Sequence, residues 1–520
     1  SITQKGFYLI NSNNSSNSLN LVGTIPIEGP LDPGSFIKAL DVLIGRHAIL
    51  RTGFFKEGLN TVQQIFSHEE IQVENLDITS KSNQEREDFT KKIEEKLQRE
   101  VFDLSHPPLY KIIWIKETDS LSKLMLCIHH IVGDAWSLKI LLDELLWLYH
   151  QNSLEAPLFL PEITSSFRDV VNYENARRFM VKGEYSREEE FWKNTFSRSK
   201  NIKLESKWLK VSAKDQEIVL HISKSKKETL QKLCAEHSLS LFQLFFTIYA
   251  RALSKIVGEI DLLICSSVSG RDLSLPDINK VIGPFAKSLP VGIKLTNDNI
   301  RSDYAQLNQS FLNSLENLDI PAKDLMKIYL QNGGITLKGI YQLFISFMDF
   351  SSLDGENPSE FKFDWDNARF LFDSGSTDSN LMLGIRVADG IHINLGGKTS
   401  SKFKSLIGDY IQEGVTQFIR EYDTDDLGDT RIIDAALIAY FPYSRTLSEL
   451  LPVAAAGKEI TKKFIKTILP NDRPKLLEIE NTVYGKTGVI FIPYYAEELQ
   501  KVKSERLLHS IDLAREEAKK

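Results

Sequence analysis

A mixed α/β (α+β) chain is the fold class the sequence predicts, on three observations. Strand-like and helix-like patterns alternate irregularly along the 520 residues. No repeat with a period of about 20 to 50 residues is visible, which argues against a solenoid or a propeller. The run Leu124 to Ile128 is short, continuous and apolar, as expected of a strand covered on both faces. Length gives a prior of roughly three to four core-sized units.

The first segment, to about residue 175, starts with Ser1 to Ile10 and a polar Asn/Ser stretch from Asn11 to Asn20 that reads as a loop. A strand is predicted over Leu21 to Ile27. A helix follows over Pro33 to Gly45, with Leu40, Leu43 and Ile44 on one stripe. Arg46 to Phe54 comes next, then a charged helix from about Glu85 to Arg99. The strand around Leu124 to Ile128 runs directly into His129-His130-Ile131-Val132-Gly133-Asp134-Ala135-Trp136-Ser137. Leu138, Leu141, Leu142 and Leu145 then mark an amphipathic helix, with Ser137 placed to cap it.

The second segment repeats the mixture. Helices are predicted near Lys226 to His237 and from about Leu239 to Val257, and a strand over Ile260 to Cys265 leads into Ser269-Gly270-Arg271-Asp272. Further strands are expected at Leu289 to Leu295, Gln342 to Phe350, Asn380 to Val387 and Ile391 to Leu395, with a closing helix near Lys402 to Tyr422. Glu421 to Asp429, acidic and Gly-containing, reads as a linker. About 430 to 520 offers only enough chain for part of a domain. Both ends are expected to be boundaries within a larger natural protein.

Composition narrows the function classes. At 42% hydrophobic and 26% charged, the chain is globular in character, which excludes wholesale disorder, a collagen-like repeat and a disulfide scaffold. A net charge of -7 gives no reason to expect nucleic-acid or anionic-lipid partners, which clustered cations recruit. Cys127, Cys234 and Cys265 are widely spaced inside or beside apolar runs, so buried free thiols are expected rather than a metal or disulfide framework. The most apolar stretch, Leu239 to Ile256, is broken by Gln243 and Arg251 before reaching the ~20 apolar residues of a membrane span. A cytoplasmic location without membrane contact is therefore expected.

Two phosphate-loop fragments are false leads. Gly397-Lys398-Thr399 and Gly485-Lys486-Thr487 have His392 and Glu480 where the cradle needs its first glycine. Zinc-protease, C-x-x-C, serine-hydrolase and dinucleotide motifs are all missing from the sequence.

His129, His130 and Asp134 form the one dense polar cluster after an apolar strand. Neighbours on an extended segment point to opposite sides, so the two imidazoles make a poor pair of ligands for one metal. One should face the interior and the other a cleft. A strand-end histidine with a nearby carboxylate suits general acid/base work, its ordinary pKa of ~6.5 lying near operating pH. A hydrogen-bonded pair of purely structural histidines is the alternative.

His129 to Ser137 resembles the HHxxxDG signature of the condensation domains of nonribosomal peptide synthetases, a superfamily that includes chloramphenicol-acetyltransferase-like acyltransferases. Other blocks follow in the family's order. Ser1 to Gln4 with Phe7-Tyr8 is similar to the S-x-A-Q opening, and Arg46 to Phe54 to R-H-x-x-L-R-T-x-F. Phe167 to Val171 is similar to F-x-D-Y, and Phe191-Trp192 to the Y-W that follows. Gly270-Arg271 with Ile282 to Phe285 resembles the G-R and I-G-x-F-V-N pair, and Pro321 with Asp324-Leu325 the H-x-P-F-E-x-L block. The resemblance covers roughly residues 1 to 424.

It implies two chloramphenicol-acetyltransferase-like lobes, 1–175 and 176–424, forming a V with a central tunnel, plus a C-terminal α/β extension. A carrier-bound acyl or peptidyl thioester donor would be joined to an acceptor amine, both delivered on the phosphopantetheine of partner carrier domains, with no cofactor bound by the domain itself. His130 would be the catalytic group, meeting the acceptor amine. His129, Asp134, Ala135 and Arg271 would support the site, with Asp134 paired to Arg271 as a scaffold between lobes. Arg46, His47 and Arg51 would brace the first lobe, and Trp136 would belong to the core. The partners implied are donor and acceptor carrier domains and small acyl or aminoacyl substrates, with the chain itself a monomer.

Two departures from the pattern keep alternatives open. Ala135 replaces the motif glycine, at a cost of ~1 to 2 kcal/mol if that position needs a positive φ. Ala286-Lys287 replaces valine and asparagine. An acyltransferase using a soluble amine or hydroxyl, and a non-catalytic domain that docks carriers, are the competing readings. In 425–520, Tyr484 to Pro493 resembles the N-terminal part of cyanobacterial acyl-carrier-protein reductases.

Overall fold

The computed structural model describes residues 1–13, 19–58, 60–67, 71, 73–153, 158–181, 185–199, 204–209, 217–271, 273, 275–334, 337–351, 362–372, 380–423, 435–440 and 489–494. Strands are numbered in chain order. The first are β1 (Asn20–Glu28), β2 (Thr52–Glu57), β3 (Asn60–Ile65), β4 (Glu74–Asp77), β5 (Tyr110–Lys116) and β6 (Leu121–His129). They are followed by β7 (Ile218–Ile222), β8 (Asp261–Val268), β9 (Lys287–Lys294), β10 (Leu343–Asp349), β11 (Lys362–Phe363), β12 (Arg369–Phe372), β13 (Leu381–Val387) and β14 (Ile391–Gly396).

Two sheets organise the chain. The first runs β11-β1-β6-β5-β4, with β12 also on β1, and the second runs β7-β14-β13-β10-β8-β9. Each sits in its own apolar core, one around Leu21, Ile25, Leu124, Met125 and Leu142, the other around Phe246, Ile264, Val291, Leu383 and Phe418. The mixed fold class expected from the sequence is the one observed.

β6 explains the unbroken apolar run. It lies between β1 and β5. The helices Pro33–Arg46 and Ala135–Ser153 cover one face, contributing Leu40, Leu43, Leu141 and Leu145 against Leu126 and Ile128. On the other face the Cys127 thiol reaches Leu97 O at 3.5 Å, at the end of the helix Asn83–Gln98. Asn20 Nδ2 donates to Leu97 O and Glu100 O there, satisfying carbonyls that a helix end leaves open. With neither face toward water, alternation of apolar and polar residues has no reason to appear.

The stretch that came nearest to a membrane span is a core helix of the second lobe, Leu241–Val257, buried from Leu244 to Ser254. Its two interrupting polar residues are both paired. Arg251 bonds Asp303, and Gln243 accepts from Tyr304 Oη at 2.8 Å and donates to Asn308 at 2.6 Å. Among the described residues no helix is long and apolar enough to cross a membrane.

The lobes are not consecutive blocks of chain. β11 and β12 arrive from beyond β10 and pair antiparallel with β1, extending the first sheet. Phe350, Phe363 and Trp365 enter the first core, as do Leu273, Ile278, Val281, Ile282 and Phe285 from the segment between β8 and β9. Hydrophobic periodicity marks the strands β8, β9, β10, β13 and β14, but it does not say which sheet a short crossover segment joins.

Of the C-terminal stretch, only the antiparallel strands Ala435–Tyr440 and Val489–Tyr494 are described. The rest of 424–520, and with it residues 484–488 of the reductase-like stretch, lies outside the described residues.

Candidate functional site

The site begins where β6 ends. His129 is its last residue and 1% exposed. The Nδ1 atom of its ring accepts from Ile131 N at 3.1 Å, and the ring meets Phe102 edge-on at 6.1 Å. Accepting at Nδ1 places the proton on Nε2, which is buried without a hydrogen bond. Burial, then the neighbouring imidazole of His130, holds the His129 pKa down at about 3.

His130 takes a different direction. Its N–H donates to Leu19 O at 2.7 Å, and its half-buried ring stacks on Phe7 of the helix Ile2–Asn13, with centroids 4.8 Å apart. Nδ1 has no hydrogen bond among the described residues. Burial lowers the His130 pKa, with the charge of Asp134 acting in opposition. The same helix is tied to the motif by Gln4, whose Nε2 donates to Ile131 O at 3.0 Å. The two histidines therefore have different surroundings, one in the first core and one against the opening helix.

Asp134 is saturated. Oδ1 accepts from Ser137 N at 2.8 Å, Ser137 Oγ at 2.7 Å and Arg271 Nη2 at 3.3 Å. Oδ2 accepts from Phe285 N at 3.0 Å and Ala286 N at 3.1 Å. Asp134 is also the residue that caps the helix Ala135–Ser153. The cap expected at Ser137 is corrected, because Ser137 supplies the third N–H of that helix, the donor that a cap side chain accepts. Ser137 Oγ instead takes an N–H from Gly283 at 3.1 Å and lies 3.0 Å from Gly283 O.

Arg271 is fully buried. Nη1 donates to Ile278 O at 2.9 Å and Val281 O at 2.6 Å, while Nη2 faces Asp134 and Ser137. Its guanidinium lies 4.0 Å from the Phe285 ring centroid and 6.0 Å from that of Trp136. Arg271 thus gathers the segment between β8 and β9 into a loop whose N–H groups close on Asp134. Gly270 is required by that loop: φ is +64°, and a Cβ there would lie 2.0 Å from Phe285 O.

Ala135 opens the helix Ala135–Ser153 and does not figure among the described non-glycine residues with positive φ, so no left-handed backbone opposes its methyl group. Ala286 meets Asp134 through its backbone, which the exchange of valine for alanine leaves intact. Lys287 begins β9, opposite Val268. Trp136 Nε1 donates to Asn279 O at 3.1 Å, another link to the β8–β9 segment. Arg46 Nε and His47 Nε2 share Glu144 at 3.2 and 2.7 Å, and Arg51 donates to the carbonyls of Ile44, Gly45 and Phe66.

Sequence reasoning missed the central part of Ser137 and the backbone donors of Phe285 and Ala286. The adjacent I-G-x-F block was the signal for the latter, but main-chain donors leave no side-chain signature.

A family model described as condensation domain matches residues 1–396. Tyrocidine synthase 2 of Brevibacillus parabrevis is 28% identical over 60% of this chain and 8% of its own length. Surfactin synthase subunit 1 of Bacillus subtilis is 26% identical over 62% of this chain and 9% of its own. The chain thus spans less than a tenth of these relatives. The first condensation domain of the calcium-dependent antibiotic synthetase superposes with a TM-score of 0.67 at 14% identity, covering 81% of this chain and 95% of that one. The X-domain from teicoplanin biosynthesis gives 0.60 at 17% identity, covering 81% and 94%. At such identities these likenesses establish the fold.

Proposed function

The chain belongs to the condensation-domain family, and on that premise we propose that it joins a carrier-bound acyl or peptidyl thioester to an acceptor amine, with His130 at the reacting centre. The observation that carries this reading is the contrast between Asp134, whose two oxygens are engaged by five donors, and His130, whose half-buried ring stacks on Phe7 and whose Nδ1 makes no hydrogen bond among the described residues. Of the motif's titratable groups, His129 is sealed in the core and Asp134 has no lone pair to spare. His130 is left for proton handling.

A thioester is already activated, so the main task is to hold a neutral amine against its carbonyl carbon, and orientation supplies ~7 kcal/mol or more of the barrier. As the C–N bond forms and the C–S bond breaks, the amine gives up a proton and the departing thiolate gains one. A neutral imidazole can accept the first, and positioned acid/base groups contribute typically ~10² to 10⁴-fold. The lowered pKa of His130 keeps its ring neutral near pH 7. In this reading Asp134, Arg271 and Ser137 hold the motif loop, and the expected partners are donor and acceptor carrier domains bearing phosphopantetheine thioesters.

The test is product formation on loaded donor and acceptor carriers, followed by mass spectrometry, with the parent chain and His130→Ala. Amide formation by the parent, lost in the variant, is expected. Unchanged formation by the variant would remove His130 from the mechanism. Product from a soluble amine alone would favour the soluble-acceptor reading, and none from the parent across varied carriers would favour a docking role.

A further inference from the structure

A second group of chemically capable side chains lies away from the motif. His221 on β7 and His392 on β14 are directly opposed in antiparallel register, their rings 4.7 Å apart at 52°. Asp366 comes from the crossover between β11 and β12, and its Oδ1 lies 3.0 Å from His392 Nε2 and accepts from Gly390 N at 2.9 Å. One ligand atom from each of the three lies within 4.8 Å of the others. The turn at Gly390 is shaped to this grouping. A Cβ there would lie 2.5 Å from His221 Nε2, so glycine leaves the space into which that nitrogen reaches.

We propose that His221, Asp366 and His392 bind one Zn²⁺ ion, which fastens the crossover segment to the outer strands of the second lobe. Two imidazoles and one carboxylate, with water in the fourth place, form an established tetrahedral zinc donor set. Ligands ~2.0 to 2.1 Å from a common ion stand somewhat over 3 Å apart, close to the present His392–Asp366 separation, and rotation of the exposed His221 ring closes the other edges. The exposure of His221 also provides the entry path.

The surroundings fix the carboxylate without filling the site. Arg386, opposite His392 on β13, donates to the carbonyls of Trp365 and Asp366, which sets the crossover backbone. Its positive charge opposes an ion, and Asp364 and Asp366 both act on it as countercharges. Because the crossover delivers β11 and β12 to the first sheet, an ion held here links the first lobe's edge to the second lobe's sheet. The three residues are separated by 145 and 26 positions, so no local motif announces them.

The full chain, stripped with chelator, should take up one equivalent of Co²⁺ with visible tetrahedral absorption that Zn²⁺ displaces, and Zn²⁺ should raise its melting temperature. His221→Ala, an exposed change, should melt as the metal-free parent does and weaken Zn²⁺ binding by about 100-fold or more, at least the upper range for losing an outer-shell partner. Asp366→Asn should weaken it as well. His106→Ala, which removes an exposed histidine beside Asp103, should leave binding unchanged. Absence of a stoichiometric ion in the parent, or full binding by His221→Ala, would overturn the proposal.

Discussion

Arg271 reaches Asp134 at 3.3 Å across 137 residues of sequence, with both side chains sealed from solvent. The pair lies on the contact between the motif loop and the segment joining β8 to β9. Removing one partner leaves a buried charge with poorer compensation, at a typical cost of ~3 to 5 kcal/mol. Asp134→Ala and Arg271→Ala should each lower unfolding stability by that order in denaturant titrations. The double variant should cost clearly less than the sum, because the two side chains share one network. Strict additivity would show that they are not coupled.

The stack of Phe7 on His130 leads to a separate expectation. Phe7→Ala removes the only ring packed on the imidazole among the described residues, and a displaced reacting group can lose about 10²-fold in rate. Turnover on loaded carriers should fall in Phe7→Ala by up to that factor, and Phe7→Leu should recover much of it. The comparison to make is kcat against KM: a rise in KM at unchanged kcat would place Phe7 in substrate binding rather than in positioning His130.

Acid should weaken the fold through His129. Its folded pKa of about 3 lies below the ordinary value of 6.5, so between these limits the unfolded chain binds a proton that the native chain does not. The sign is therefore that stability is fully present above about pH 6.5 and falls as pH is lowered, by about 1.4 kcal/mol per unit for this one group. His129→Asn, whose amide oxygen can accept from Ile131 N in place of Nδ1, should show a shallower decline between pH 6 and pH 4, roughly one proton less. Equal slopes in the two proteins would assign the acid sensitivity elsewhere.

Gly270 should be among the least tolerant glycines. Gly270→Ala combines positive φ with a Cβ 2.0 Å from Phe285 O, and so displaces the strand of backbone whose N–H groups bind Asp134. A loss above ~1 to 2 kcal/mol is expected from conformation alone. Gly384→Ala supplies the comparison, since its nearest neighbour, Ser346 Oγ, would stand 3.7 Å away in ordinary contact. Similar denaturation midpoints for the two variants would refute the steric argument.

Much of the second sheet was legible because it is written in local periods. The helix Leu241–Val257 and the strands β8, β9, β10, β13 and β14 all fall on apolar runs bounded by polar or glycine residues. The histidine motif was legible for a related reason, since its dense polar cluster directly follows the buried strand β6. The place of Ser137 was not, because a serine before an amphipathic helix looks like a cap until the carboxylate three residues earlier is seen to take that position.

From the residues alone came the mixed fold class, those strands and helices with a clear apolar period, the family resemblance carried by consecutive blocks, and the histidines on which the chemistry is proposed to turn; helices such as Ile2–Asn13 and Ile300–Glu316 were not marked. Packing in three dimensions returns β11 and β12 to β1, converges five donors from three separated stretches on Asp134, and brings His221, Asp366 and His392 together. The reason is physical. Periods of two and of 3.6 residues record which side of an element is buried, whereas strand order, main-chain donors and side chains meeting across more than a hundred residues depend on how whole elements pack.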